Sequence, residues 1–386
     1  MSLDDEVRDE LRALEAAHLI RVPRVVEGAQ GVRLTIDGSH VLSFASNDYL
    51  GLAGDRRLAA AASLSLDDDG LGVGASRLIV GNHRQHAALE AELADWFRCD
   101  GVRLFNTGYA ANVSVLTTLL REGDVVFSDA FNHASLIDGC RLSRAKIVIY
   151  PHLDLEALDR ELASVTGRRR VVVSETLFSM DGDIADVLGL AELCRKYDAS
   201  LILDEAHAIG VLGPEGRGVA AHSGVVPDVL VGTFGKALGT FGAFVATTRS
   251  IATLLWNRAR PLVFSTGLPP SIAAATRTGV SIARGSEGDQ RRRTLATRGQ
   301  QLRTLLSGLP VGGDIRSPIL PLQIGDAQRV LEIAAQLLEA KLCVAAVRPP
   351  TVPPNTARLR ISLSATHDSQ DIVKLGAAIT QCVNKS

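Results

Sequence analysis

The sequence predicts an α/β sandwich, a mainly parallel central sheet with helices on both faces, followed by a smaller α+β C-terminal domain. Three observations carry this. The runs "GVRLF", "DVVFSD", "KIVIY", "RRVVVSE", "SLILDE", "DVLVGTF" and "GAFVATT" are continuously apolar, as strands buried on both faces are. Helical patterns separate them from about residue 85 to 250, which implies crossover connections and parallel pairing. After about residue 270 the texture changes to a polar helix followed by short strands mixed with helices.

Taken in order, residues 2–19 fit an amphipathic helix. Ser2 can cap it, Asp4, Asp5 and Glu6 suit its positive end, and Leu3, Val7, Leu11 and Leu14 form one stripe. In the last part, "LPLQIG", "LCVAAV" and "ARLRISLSA" read as strands, with helices at about 326–340 and 368–382. The expected division is an N-terminal helix and arm over 1–40, a large domain over 41–275 and a small domain over 276–386. The arginine clusters at 168–170 and 291–293 read as solvated faces, because no aromatic residue is interleaved with them.

Composition narrows the function. Hydrophobic residues make up 46% and charged residues 22%, the balance of a soluble protein with a large core. Aromatics are only 4%, so Ala, Val, Leu and Ile must fill that core. Lys plus Arg is 41 against 43 Asp plus Glu, a net charge of −2, which argues against coating nucleic acid. No apolar run reaches the roughly 18–20 residues of a membrane span, and "MSLDDEVRDELRALEAAHLI" lacks the apolar segment of a signal peptide. Cys99, Cys140, Cys194, Cys343 and Cys382 stand singly with no zinc-like spacing, so reduced thiols, a cytoplasmic location and no metal are expected.

"LILDEAHAIG" suits either a helicase nucleotide site or a pyridine-cofactor site. The nucleotide site fails on its phosphate loop. The single Gly-Lys pair, Gly235-Lys236, is followed by Ala237, and Leu230 stands where the loop's first glycine is required. "GLGVGAS" (Gly70 to Ser76) lacks a dinucleotide fingerprint's third glycine and a preceding strand, so a turn explains it better.

Pyridoxal 5'-phosphate needs an amine for its aldehyde, an acid for its ring nitrogen, donors for its phosphate and a flat group against its ring. Lys236 follows an apolar strand and lies between Phe234 and Ala237, a poor place for an idle ammonium. Asp204 ends the run "SLILD", where a carboxylate can keep a pyridine nitrogen protonated, and His207 can reach the ring oxygen from the same turn. Taken singly, Asp204 reads as a helix cap and His207 as a surface histidine; with Lys236 on the next strand unit the three read as a site. Gly108 and Tyr109 begin a helix whose N–H groups attract an anion. Thr233 adds a hydroxyl beside the lysine, His133 can stack on the ring, and Ser179 and Asp181 sit in a loop after a strand.

The stretches "SNDYLGL", "SETLFSMDGD", "LDEAHAIGVLG", "GTFGKALG" and "RPPTVPPNTARLR" occur in the order found in the α-oxoamine synthases, and the chain resembles that family over nearly its whole length. The resemblance implies the fold-type I pyridoxal phosphate transferase architecture of aspartate aminotransferase. It implies a homodimer with shared active sites. It implies that Lys236 holds the cofactor, Asp204 pairs with the ring nitrogen, His207 meets the ring oxygen and His133 stacks on the ring and meets substrate. Ser179 and Thr233 then contact the cofactor, Gly108 and Tyr109 hold its phosphate, and Thr266 reaches the neighbouring subunit's phosphate. Arg21, Asn47, Thr351 and one arginine of "ARLR" fall to the substrate. The alternation of Leu359, Ile361 and Leu363 with Arg358, Arg360 and Ser362 puts both arginines on one face, so the period does not choose between them. The family pattern favours Arg360 as the carboxylate fork, with Arg358 a structural or surface pair.

"RPPTVP" followed by "ARLR" resembles the branch that condenses L-alanine with a pimeloyl thioester, losing carbon dioxide, in biotin biosynthesis. Leu78, where succinyl-CoA users carry a polar residue, fits a longer acyl chain. Tyr109 stands where the family varies. Two alternatives stay open: a glycine-using member of the family, and a catalytically silent partner subunit, which the intact Lys236 disfavours. Whether the acyl carrier is coenzyme A or a carrier protein is left open.

Overall fold

The computed structural model describes residues 2–384, and the chain divides into two units. The larger comprises Asn47–Ser179 and Asp183–Ala296. The smaller comprises the described residues of Met1–Ser46, Met180–Gly182 and Thr297–Ser386. The divisions thus fall after residues 46 and 296, where the sequence suggested 40 and 275. The helix Pro270–Arg284 accounts for the later break. It packs on the helices Arg56–Asp69 and Arg84–Phe97 of the larger unit and buries Ala273, Val280 and Ala283 there. A Cβ on Gly279 would stand 2.7 Å from the Leu238 carbonyl oxygen, so only glycine lets this helix back the loop that carries Lys236.

The larger unit is built on a seven-stranded sheet. Its order is Gly101–Phe105, Ala243–Thr247, Val229–Thr233, Ser200–Asp204, Arg170–Glu175, Val125–Asp129, Lys146–Tyr150. Ala243–Thr247 runs antiparallel to both neighbours, and the other pairings are parallel. Each apolar run quoted above forms one of these strands. "KIVIY" differs in burial: among its residues only Tyr150 is buried. It is one of the sheet's two edge strands; the other, Gly101–Phe105, is buried.

Four of the five mutually parallel strands, Val125–Asp129, Arg170–Glu175, Ser200–Asp204 and Val229–Thr233, end on the side that concerns the site. Loops leaving those ends carry His133, Ser179, His207 and Lys236, the placement expected of a binding edge in this kind of sheet. The second arginine cluster is not a solvated face. Arg291 donates to the carbonyls of Leu50 (2.6 Å) and Gly51 (3.3 Å) and pairs with Glu287 at 2.7 Å. Arg292 donates to the carbonyls of Gly210 (3.1 Å) and Ala283 (2.7 Å). A guanidinium fork can collect several carbonyls that a sequence pattern does not reveal.

In the smaller unit the helix Leu3–Ala16 carries a capping box between Ser2 and Asp5. Leu3, Val7, Leu11 and Leu14 are all exposed. "LCVAAV" does not form one strand. Leu342–Cys343 pairs with Ser39–Ser43 in a four-stranded sheet, and Ala345–Val347 pairs with Ala357–Ser362 in a three-stranded one. The segments 326–340 and 368–382 become the helices Ala327–Glu339 and Ser369–Asn384. No helix among the described residues is long and apolar enough to cross a membrane.

Candidate active site

The two carboxylates of "LDEAHAIG" do different work. Asp204, buried at the strand end, accepts from Asn112 Nδ2 at 2.6 Å and from the Ala206 amide at 2.8 Å. Glu205 accepts from the Thr176 hydroxyl at 2.7 Å and from the amides of Val219 and Ala220 at 3.0 and 2.7 Å, so it ties the short helix Val219–His222 to the sheet. Burial, only partly opposed by these donors, pushes the Glu205 acid up to about 7. His207 is buried, with Nδ1 2.7 Å from the Tyr49 hydroxyl, which lies 3.2 Å from Asn47 Oδ1.

A hydrogen-bonded chain joins Asp204 to His133. Asn112 Nδ2 also donates to Ser135 Oγ at 2.9 Å, and Ser135 Oγ lies 2.8 Å from His133 Nδ1. The Ser135 amide donates to the same Nδ1 at 3.2 Å, as the cap of the helix Ala134–Ser143. Nδ1 is therefore the acceptor, and the ring proton of the neutral imidazole stands on Nε2. Burial lowers the His133 pKa first, Lys236 lowers it further, and Asp204 acts in the opposite direction. His133 therefore lies within electrostatic reach of both Asp204 and Lys236.

Lys236 is half-buried in a loop whose Phe234 and Ala237 are buried. The Phe234 amide bonds the Gly242 carbonyl at 2.9 Å, and the Gly239 amide bonds the Lys236 carbonyl at 3.0 Å. The Thr233 hydroxyl donates to the Gly242 carbonyl at 2.9 Å and accepts from the Gly235 amide at 3.2 Å, so it shapes this loop. A Cβ on Gly108 would stand 4.0 Å from Thr233 Cβ, which places the start of the helix Gly108–Leu119 beside the end of the lysine's strand. Thr107 caps that helix through the Ala110 amide at 3.0 Å, and the first-turn amides at Gly108 and Tyr109 have no helical carbonyl to meet. The Tyr109 hydroxyl donates to Asp138 at 2.6 Å. Ser179, in the loop after the strand Arg170–Glu175, is buried. Thr266 is exposed, with its carbonyl 2.9 Å from Asn106 Nδ2.

The remaining candidates lie in the smaller unit. Arg21 Nη2 meets the Thr351 hydroxyl at 3.2 Å, so two expected substrate contacts stand together. Arg348 helps by donating to the carbonyls of His18 (2.9 Å) and Ile20 (2.8 Å). Arg358 pairs with Asp181 and donates to the Thr356 carbonyl at 3.0 Å. Arg360 is buried, and its Nη1 donates to Ser362 Oγ at 2.7 Å. Sequence reasoning did not single out Asn112, Ser135, Tyr49 or Glu175. Asn112 follows Gly108 by one helical turn, a signal that could have been read; the others are brought in by tertiary structure alone.

The edge offers a flexible amine beside two glycines, a fixed carboxylate, a neutral imidazole and unbonded amides at a helix start. Two buried polar atoms there, Asn112 Oδ1 and Glu175 Oε1, have no partner among the described residues. This donor set fits a charged heteroaromatic phosphate such as pyridoxal phosphate. Among the described residues no cluster of three or more His, Cys, Asp or Glu could hold a metal ion. Residues 39–379 match the model of the class I and II aminotransferases. Curated 8-amino-7-oxononanoate synthases match nearly end to end. That of Geobacter sulfurreducens is 44% identical over 97% of both chains, and that of Anaeromyxobacter dehalogenans is 45% identical over 97% of this chain and 94% of its own.

The chain belongs to the 8-amino-7-oxononanoate synthase family.

It is a pyridoxal phosphate-dependent acyltransferase of the class I and II aminotransferase superfamily. Solved structures agree on the fold. A serine palmitoyltransferase from S. paucimobilis with bound PLP–myriocin aldimine superposes with a TM-score of 0.93 at 30% identity, covering 99% of this chain and 97% of its own. An 8-amino-7-oxononanoate synthase from Francisella tularensis superposes with a TM-score of 0.78 at 29% identity, covering 89% and 98%.

Proposed function

We propose that this enzyme joins L-alanine to a pimeloyl thioester, giving 8-amino-7-oxononanoate, carbon dioxide and free thiol in biotin biosynthesis. The observation that carries the reading is the fixed Asp204 carboxylate, bonded by Asn112, in a setting where His133 feels both Asp204 and Lys236. When bound, pyridoxal phosphate supplies an electron sink for the substrate α-carbon.

The chain's own residues do the rest. Asp204 holds the proton on the ring nitrogen, and Asn112 and the Ala206 amide fix the carboxylate for that task. His207 is set by Tyr49 to meet the ring oxygen, and His133 presents its ring face with the proton on Nε2. Gly108, Tyr109, Ser179 and Thr233 are proposed to hold the cofactor, and Thr266 to serve the second subunit of a homodimer. Lys236 tethers the cofactor and, released as a neutral amine, removes the α-proton of alanine. A carbon–carbon bond then forms to the thioester carbonyl, the thiol leaves, the carboxyl departs as carbon dioxide and a proton returns to carbon. Arg360 and Asn47 are proposed for the substrate carboxylate, and Arg21 and Thr351 for the acyl substrate.

The test is the absorption spectrum of the purified holoenzyme on adding L-alanine, glycine or L-serine, followed by thiol release from pimeloyl-CoA and from a pimeloyl carrier protein. A spectral change saturating at lowest concentration with L-alanine supports the reading; one that favours glycine rejects it.

A further inference from the structure

An aspartate–histidine pair ties together two neighbouring strand ends and takes no part in the reaction above. Asp129 ends the strand that leads into the His133 loop, and its side chain is 1% exposed. Oδ1 accepts from the Phe131 amide and from His152 Nδ1, each at 2.8 Å, and Oδ2 accepts from the Leu153 amide at 2.9 Å. Asp129 is the acceptor in all three bonds, so His152 carries a proton on Nδ1. His152 Nε2 lies 3.5 Å from the Asp183 carboxylate.

His152 stands in the turn between the edge strand Lys146–Tyr150 and the helix Leu155–Ser164. This turn is fixed at both ends. The Ala130 amide donates to the Tyr150 carbonyl at 3.0 Å, and Asp154 caps the helix by accepting from the Ala157 amide at 2.8 Å. Between them Leu153 is left-handed, with φ 58°. A bulky side chain holds that conformation only where its surroundings impose it. The bond from the Leu153 amide to Asp129 does so here, and it turns the neighbouring His152 toward the same carboxylate.

The imidazole meets two aromatic rings. Phe131 stacks on it, with centroids 4.4 Å apart and planes 20° apart, and Phe178 meets it edge to face, with centroids 4.4 Å and planes 88° apart. Phe131 stands two residues before His133, and Phe178 immediately precedes Ser179. Asn132, between Phe131 and His133, ties the same loop to the sheet. Its Nδ2 donates to the Val173 carbonyl and its Oδ1 accepts from the Glu175 amide, each at 2.9 Å. His152 supplies the second hold.

We propose that His152 is a positioning residue of the active site: Asp129 fixes its ring, and the ring, in contact with Phe131 and Phe178, sets where His133 and Ser179 stand. The inference rests on reading this edge as the cofactor site and deepens that reading. One ring serves both loops, so its loss displaces both.

The experiment measures pyridoxal phosphate affinity, the visible circular dichroism of the bound cofactor and thermal unfolding in holoenzyme carrying His152→Ala or His152→Asn. His152→Ala removes the hydrogen bond and both ring contacts. Affinity should fall at least roughly tenfold, with weakened dichroism. His152→Asn keeps an amide donor near the place of Nδ1 and removes only the ring. Affinity should fall about three- to tenfold, the scale of a lost aromatic pair, and the dichroism should shift. This variant also carries the test should His152→Ala fail to fold. Parent-like affinity and dichroism in folded His152→Ala, with only a lower unfolding temperature, would show a purely structural role and overturn the proposal. Parent-like values in His152→Asn would overturn it as well. Neither cofactor readout depends on which amino acid or thioester the enzyme uses. A parent protein that takes up no pyridoxal phosphate would reject the cofactor-site reading and the proposal with it, whereas parent-like variants reject the role of His152 alone.

Discussion

Asn112 donates a side-chain hydrogen to Asp204 at 2.6 Å, and both residues are buried at the carboxyl edge of the sheet. A hydrogen bond to a charged acceptor contributes about 1.5–3 kcal/mol. Asn112→Ala should therefore lower kcat by roughly ten- to a hundredfold while the protein still binds cofactor. Steady-state kinetics with cofactor occupancy checked by absorbance decide it. An unchanged kcat would show that Asp204 does not depend on this bond.

Asp204→Asn removes the charge that keeps the ring nitrogen protonated. Activity should drop by roughly 10³-fold or more, on the order of 4 kcal/mol of transition-state stabilisation. A parent-like rate would refute the assignment.

Much of this arrangement was legible in the sequence, and the gaps have physical causes. The seven strands of the larger sheet announced themselves as apolar runs, and Asp204 closes one of them while Lys236, His207, His133 and Gly108 each follow a strand end. What sequence spacing does not contain is which side chain meets which across the sheet. Tyr49 reaches His207, and Asn112 reaches Asp204, only after folding. The polar look of "RRR" at 291–293 concealed two arginines that bond backbone carbonyls. "LCVAAV" looked like one strand because pattern does not register that Val344 is a switch between two sheets.

Borohydride reduction of the yellow holoenzyme should fix the cofactor on Lys236, located by peptide mapping. Lys236→Ala should still bind cofactor noncovalently and lose turnover, since it lacks both tether and base. A reduced adduct on any other lysine would displace Lys236 from its role.

The two buried arginines of "ARLR" should separate in kinetics. Arg360→Lys keeps charge but loses the planar fork, so the KM for alanine should rise strongly and kcat should fall. Arg358→Lys should leave that KM unchanged. It should cost about 1–2 kcal/mol of stability, because Arg358 bonds the Thr356 carbonyl and pairs with Asp181. Alanine saturation curves and thermal unfolding of both variants give the answer; a raised KM in Arg358→Lys alone would move the clamp to that residue.

The substrate assignment is tested most directly by kcat/KM for matched pairs: L-alanine with pimeloyl-CoA or a pimeloyl carrier protein, against glycine with acetyl-CoA or succinyl-CoA. L-alanine with a pimeloyl thioester should give the highest value, with 8-amino-7-oxononanoate, carbon dioxide and thiol formed in equal amounts. A higher value for glycine with acetyl-CoA or succinyl-CoA would contradict the account and make the enzyme a glycine-using synthase.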